Sequence, residues 1–146
     1  MRLEAAAARS KTVATWAAVL GGVIGLHRFY LKGLRDPWGW LQAVLTFIGM
    51  LGALRMREWG VDDRQAWLMV PWLGLSISAA MLHAIVTGLT TDEKWALQQP
   101  SAHGLEPTAW GPVLGVILAL MLGATALMAT VAFVGQRIFE VMLPPA

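Results

Sequence analysis

The sequence predicts an all-α, polytopic integral membrane protein with about four transmembrane helices. Hydrophobic residues make up 57% of its 146 residues and charged residues only 14%, whereas soluble domains have roughly 45–50% and about 25%. A soluble domain of this length has too small an interior to bury so many apolar side chains. The apolar residues are also grouped in long segments, and all nine Asp and Glu residues lie outside them. Lipid is therefore the expected surrounding for most of the chain.

Four apolar segments are long enough to be considered as membrane helices, namely 12–31, 37–54, 67–89 and 110–135. A hydrocarbon core of about 30 Å is crossed by about 20 helical residues. The backbone must be helical there, because no water is present to satisfy its polar groups. We therefore predict a membrane domain at 12–95 and a separate fourth helix, with the remaining parts being an N-terminal segment 1–11, a loop 96–109 and a tail 136–146. No internal repeat is evident.

The first segment is short for a membrane helix. Its uncharged part, 12–26, rises only about 22 Å as a helix, and it is followed by His27 and Arg28. To cross, this helix must carry both residues close to one membrane face, with Arg28 extending toward the headgroups. The first two helices would then form a hairpin joined by the turn 32–36.

Basic residues predict the orientation of the four-helix arrangement. With both termini in the cytoplasm, seven of the eleven Lys and Arg residues lie inside: Arg2, Arg9, Lys11, Arg55, Arg57, Arg64 and Arg137. Because Lys and Arg are enriched in cytoplasmic loops, this arrangement is favoured over its inverse.

One motif in the first half resembles a known family. Its residues are Gly21-Gly22-Val23-Ile24-Gly25-Leu26, then His27-Arg28-Phe29-Tyr30-Leu31, and later Gly39-Trp40-Leu41-Gln42. Together they resemble the TM-two domain family, small membrane modules of two helices joined by a short charged turn. The resemblance implies a bacterial-type membrane protein, placed in the cytoplasmic membrane. It also implies that the protein is not an enzyme, while members mostly lack a settled biochemical role.

The motif also has a physical interpretation of its own. Gly21 and Gly25 give the first helix a small face on which the second helix can pack closely. Arg28 lies near the turn, where Asp36 can pair with it, and Tyr30 can offer its hydroxyl group to the same network. An alternative is an interaction surface for a partner or for anionic lipid, formed by the basic side chains of the turn; those residues are His27, Arg28, Lys32 and Arg35.

His83 is the one ionisable residue well inside a predicted span, which makes it a functional candidate. A neutral imidazole that is hydrogen-bonded across the bundle is the simpler interpretation, and a proton-relay or ligand-binding role is the alternative. The three histidines are far apart in sequence and give no metal-binding pattern. Gly111 and Gly115 form a small-residue stripe on the fourth helix, which suits packing within the monomer or oligomerisation.

These features favour a non-enzymatic membrane module that binds other membrane proteins, copies of itself, or lipid. No Ser–His pair, cysteine or glycine-rich phosphate loop supports catalysis, and no cofactor, metal or nucleic acid is expected. The alternative is a small oligomeric channel or transporter component that uses His83 and the basic turn.

Overall fold

The computed structural model describes residues 9–99 and 110–143, and within these ranges every regular element is a helix. The elements are α1 Lys11–Gly21, a 3₁₀ turn Gly22–Ile24, α2 Leu26–Lys32, α3 Pro37–Trp59, α4 Arg64–Leu89, α5 Asp92–Gln98 and α6 Gly111–Met142. The predicted all-α fold is thus confirmed.

Three helices, α3, α4 and α6, are long and apolar enough to cross a membrane. Their 23, 26 and 32 residues rise about 34, 39 and 48 Å, all above the roughly 30 Å of a hydrocarbon core. Large apolar side chains on them face outward, for example Leu68 at 77% and Met128 at 73% exposed. These helices suggest a membrane protein, whereas the predicted count of four spans is not confirmed.

The predicted first helix, 12–31, is wrong because the chain reverses in the middle of it. Gly25 has φ +78°, a left-handed conformation that ends a helix and strongly favours glycine. The Tyr30 hydroxyl group then accepts a hydrogen bond from the backbone nitrogen of Ser10, 20 residues earlier, at 3.1 Å. We call the unit formed by α1, the 3₁₀ turn and α2 the re-entrant hairpin, since it enters and leaves the bundle at one end.

The helix directions define two ends of the bundle. We call the end with Ser10, Asp36, Leu89 and Gly111 the proximal end, and the end with Trp59, Arg64 and Met142 the distal end. From the proximal end, α1 rises about 16 Å over its 11 residues, roughly half of a hydrocarbon core. The hairpin therefore covers only the proximal half of the bundle.

Small residues allow the helices to approach closely, as is common in membrane bundles. On α3, Gly49 lies so close to Leu73 of α4 that a Cβ added to Gly49 would meet the Leu73 backbone nitrogen at 2.2 Å. The interior where α1, α4 and α6 meet is built from small residues and one methionine: Ala18, Ala80, Met81, Ala84 and Ala119.

The predicted glycine faces are used in part. Gly25 faces the backbone of Gly39 on α3, as expected for helix packing, but Gly21 faces Leu26 of its own hairpin. Gly111 and Gly115 lie against Thr12 and Thr15 of α1. The stripe on α6 therefore packs within the monomer.

The short helix α5 lies where we predicted the end of the membrane domain and the start of the loop 96–109. Its Trp95 is buried, and the indole Nε1 donates to the carbonyl oxygen of Arg9 at 3.0 Å. Lys11 pairs with Asp92 at 2.6 Å and donates to the Thr90 carbonyl oxygen at 2.9 Å. These contacts hold the start of α1 at the proximal end. Residues 100–109 of the predicted loop lie outside the described residues.

Candidate functional site

The candidate site lies at the proximal end, where α2 meets the start of α3. Arg28 donates from Nε to Oδ2 of Asp36 at 2.6 Å. Asp36 is buried, with 8% of its surface exposed. The pairing that the sequence suggested for these two residues is therefore present, and it connects the two helices across the tight turn. We call the segment from His27 to Trp40, which contains both residues, the proximal corner.

His83 of α4 joins this pair. Its Nε2 lies 3.4 Å from Nη1 of Arg28, and its Nδ1 lies 3.0 Å from the carbonyl oxygen of Ala79. A carbonyl oxygen only accepts hydrogen bonds, so we assign the proton to Nδ1, which leaves Nε2 as the acceptor for Arg28. His83 thus connects α4 to the proximal corner, about 9 Å before the end of its helix.

His27 lies next to His83, with their ring centroids 5.0 Å apart. It is only 3% exposed, and neither of its ring nitrogens has a hydrogen-bond partner within the described ranges. Buried polar atoms are nearly always hydrogen-bonded, so an unpaired imidazole is unusual. His27 is therefore the least satisfied polar side chain of the corner.

Phe29 and Tyr30 serve as packing residues. The Phe29 ring lies so close to Gly39 that a Cβ added to Gly39 would meet the ring at 2.5 Å. The Phe29 ring also packs on the Trp40 ring, with 5.4 Å between their centroids. The prediction that Tyr30 joins the Arg28 network is wrong, because its hydroxyl group binds the start of α1 instead. Both side chains hold the hairpin against its neighbours.

Lys32 and Arg35 differ from the other polar residues of the turn, His27, Arg28 and Asp36, because both are exposed. Exposed Leu34 and Trp38 lie beside them. The motif therefore divides into a structural part and an exposed basic part. The structural part comprises His27, Arg28, Phe29, Tyr30 and Asp36.

Electrostatics keep the corner ionised. The hydrogen bond from Arg28 holds the pKa of Asp36 below its ordinary value of 3.8, and the positive charges of Arg28 and Lys32 add to this effect against the cost of burial. A carboxylate is the required partner for the guanidinium group, so the ion pair is intact at neutral pH.

A second polar group ties the tip of the hairpin to the spans. The hydroxyl oxygen of Thr46 lies 2.5 Å from the Val23 carbonyl oxygen and 2.8 Å from the Ser76 hydroxyl group. The Gln42 side-chain amide donates to the Ser76 carbonyl oxygen at 2.6 Å. Helix ends leave carbonyl groups without partners, and Thr46 reaches one of these at the point where the hairpin turns. Sequence reasoning missed this group because it assumed an unbroken first helix.

The proximal corner is repeated at the distal end, 27 residues further along the chain. Arg28, Gly33, Asp36 and Trp40 correspond to Arg55, Gly60, Asp63 and Trp67. Both glycines have positive φ, 83° and 89°, and the second Arg–Asp pair also forms a salt bridge.

The two tryptophans of this repeat behave alike as well. Trp40 donates from Nε1 to the Leu34 carbonyl oxygen at 2.8 Å, and Trp67 donates to the Val61 carbonyl oxygen at 2.6 Å. The expectation that the chain holds no internal repeat is therefore wrong for its two tight turns. The spacing of Arg, Gly, Asp and Trp in the sequence was the signal that could have revealed it.

The described residues do not place three His, Asp or Glu side chains where they could hold a metal ion together. No family model, curated protein or solved structure matches this chain. The candidate site therefore has to be interpreted from its own geometry.

Proposed function

We propose that this chain is a non-enzymatic membrane module of the TM-two type that binds a protein partner, another copy of itself, or lipid. Its contact surface is the exposed basic part of the proximal corner, Lys32 and Arg35, with the apolar side chains of Leu34 and Trp38 beside them. Basic and aromatic side chains together suit the interface between headgroups and acyl chains. A bacterial cytoplasmic membrane is the location that the resemblance favours.

One observation carries the proposal, namely the division of the motif into a structural and an exposed part. Arg28 and Asp36 pair with each other across the turn, whereas Lys32 and Arg35 point outward and are exposed. The internally paired turn holds the backbone that carries the two cations. Because this backbone is already ordered, less conformational freedom is lost when a partner binds.

We also propose that the proximal end faces the cytoplasm. With three spans, six basic residues of the described chain lie toward the proximal end: Arg9, Lys11, Arg28, Lys32, Arg35 and Lys94. Four lie toward the distal end: Arg55, Arg57, Arg64 and Arg137. The cytoplasmic enrichment of Lys and Arg then favours Arg9 inside and Leu143 outside. The expected placement of both termini inside is not supported, since it depended on four crossings.

A charge-reversal experiment tests the contact surface. Lys32→Glu with Arg35→Glu is compared with Arg57→Glu, an exposed position at the distal end, by mild crosslinking in native membranes. The proximal variant should lose the neighbours that the unaltered chain captures, and the distal control should keep them. An unchanged set of neighbours in the proximal variant would contradict the proposal.

A second candidate function, a small channel or transporter component, is favoured by one observation. His27 and His83 lie side by side at the proximal end, and His27 has unused hydrogen-bonding capacity. Paired histidines of this kind occur in proton relays. In reconstituted liposomes, His83→Leu should abolish any ion or solute flux if this function is correct, and flux that persists would exclude His83 from it.

A further inference from the structure

The proximal corner and its repeat at the distal end are two versions of one turn. We call the repeat, residues 55–67, the distal turn. The shared residues form the same Arg–Asp pair, the same glycine with positive φ and the same indole contact in both copies. Residues that the two copies do not share are therefore not needed to form the turn.

The two copies differ in the charge of their exposed positions. Lys32 and Arg35 of the proximal corner correspond to Trp59 and Asp62 of the distal turn, and all four residues are exposed. Residues 28–40 include three basic residues and one acid, whereas residues 55–67 include three basic residues and three acids. Only the proximal copy therefore has an excess of positive charge.

The protein itself does not use the two extra cations for contacts. The single acid of the proximal copy, Asp36, is paired with Arg28. The charge of Lys32 acts on Asp36 only through space, and neither Lys32 nor Arg35 forms an ion pair or a hydrogen bond through its side chain within the described ranges. Both side chains can therefore bind an anion outside the protein.

The length of α3 places these cations at the level of the lipid headgroups. The helix begins at Pro37, two residues after Arg35, and its 23 residues rise about 34 Å. Centred in a hydrocarbon core of about 30 Å, it extends about 2 Å past the core at each end, so the turn before Pro37 lies in the headgroup layer. Leu34 and Trp38 are 71% and 61% exposed, which suits the boundary between headgroups and acyl chains.

We propose that the proximal corner binds anionic phospholipid, with Lys32 and Arg35 donating hydrogen bonds to phosphate oxygens. Leu34 and Trp38 contact the acyl carbons next to the headgroup. This inference rests on the proposed function and names the partner of its contact surface. An acidic partner in water would pair with the cations alone, whereas a phospholipid at this depth presents a phosphate and acyl carbons together.

Native mass spectrometry of the full chain in detergent tests the proposal, with phosphatidylglycerol as the anionic lipid and phosphatidylcholine as the neutral comparison. Each cation at a membrane surface contributes about fivefold to the binding of anionic lipid. Lys32→Gln/Arg35→Gln should therefore weaken phosphatidylglycerol binding about thirtyfold, with an unchanged size-exclusion profile. Equal binding of the two lipids by the unaltered chain would overturn the proposal.

A matched control separates the site from the net charge of the protein. Arg57 and Arg64 of the distal turn are both exposed, so Arg57→Gln/Arg64→Gln removes the same charge from the other end of α3. This variant should bind phosphatidylglycerol as the unaltered chain does. Equal weakening in the two double variants would show an effect of net charge alone and would overturn a site at the proximal corner.

The reverse exchange tests the proposal as a gain of binding. Trp59→Lys/Asp62→Arg/Gln65→Trp gives the distal turn the side chains of the proximal corner, since exposed Val61 already corresponds to Leu34. The variant should bind a second phosphatidylglycerol about as tightly as the first. A variant that binds no additional lipid would show that these side chains do not make the site.

Failure of this inference and failure of the proposed function give different results. If Lys32 and Arg35 determine the crosslinked neighbours in membranes but not the binding of phosphatidylglycerol, the surface binds a protein, and only the lipid assignment is overturned. If neither measurement depends on the two cations, the proposed contact surface is overturned as well.

Discussion

Arg28 and His83 are 55 residues apart in sequence, and their side chains meet at 3.4 Å between Nη1 and Nε2. The contact joins the re-entrant hairpin to α4, while the other side of the same guanidinium group holds Asp36. One arginine thus connects three helices at the proximal corner. The two contacts are unequal, because Asp36 is a charged partner and His83 a neutral acceptor in the assigned tautomer.

Arg28→Ala should destabilise the protein strongly, because it leaves Asp36 buried without its cation. The double variant Arg28→Ala/Asp36→Ala should be more stable than the sum of the single changes predicts, as expected for coupled residues. Thermal unfolding in detergent measures both. Additive losses would show that the ion pair does not hold the turn.

Arg55→Ala, in the repeated turn at the distal end, should have a smaller effect than Arg28→Ala, because Arg55 is more exposed than Arg28 and exposed pairs are screened by solvent. The two variants share their substitution and their place in the repeated turn. The same unfolding measurement compares them, and a larger loss at the distal end would contradict the ranking.

His83→Leu should cost about 1 kcal/mol of unfolding free energy, since Arg28 loses a neutral acceptor but keeps Asp36. His83→Gln retains an acceptor and should recover most of the loss. If His83→Leu were as destabilising as Arg28→Ala, the histidine would be the main anchor of the corner.

Gly25→Ala should destabilise by about 2 kcal/mol or more, because left-handed backbone at a non-glycine residue alone costs about 1–2 kcal/mol. The added Cβ would also come within 2.5 Å of the Gly39 carbonyl oxygen. Gly135→Ala is the control, since its Cβ would meet nothing within 4 Å. Equal unfolding midpoints for the two variants would show that the hairpin turn tolerates a side chain.

Acid should weaken the bundle through Asp36 and Asp63, the aspartates of the two repeated turns. Hydrogen bonding to Arg28 lowers the pKa of Asp36; burial raises that of Asp63, but hydrogen bonds from Arg55 and the Gln65 backbone outweigh this and lower it overall. The folded state therefore binds protons less readily than the unfolded state. The stabilisation is fully present above the ordinary carboxyl value of 3.8 and is lost as the pH falls through the lowered folded values.

Unfolding midpoints measured from about pH 6 down to about pH 2.5 test this linkage. Asp36→Asn and Asp63→Asn should each be less stable near neutral pH and should each remove part of the acid dependence. An unchanged acid profile in both variants would contradict the assignment.

Topology can be tested with single cysteines, because the natural chain contains none. Arg9→Cys and Arg35→Cys should react with a membrane-impermeant thiol reagent from the same side, and Asp62→Cys from the other. The four-helix expectation places positions 9 and 35 on opposite sides. Labelling of intact and permeabilised cells therefore separates three crossings from four.

Hydropathy was sufficient to locate α3, α4 and α6, because each is a long apolar run that is bounded by charges. It could not locate the turn in the first segment. Gly21, Gly22 and Gly25 suit both a closely packed helix and a broken one, and only the contact of Gly25 with the Gly39 backbone decides between them.

The candidate site was predictable in part for a similar reason. Arg28 and Asp36 flank a short turn, so their pairing followed from the sequence alone. The contact with His83 depends on how deeply α2 enters the bundle, and the direction of Tyr30 depends on the reversal at Gly25. Such distances between segments are set by tertiary packing and are not encoded in local pattern.

The re-entrant hairpin has a consequence for biosynthesis. Its tip carbonyl at Val23 is held by Thr46, a residue of α3 that leaves the ribosome later, and Gly22 rests on Ala80 of α4, which is later still. Before those helices are in place, the broken backbone of the hairpin would meet acyl chains with polar groups unsatisfied. We therefore expect the hairpin to dock only once α3 and α4 are in place, although it is translated first.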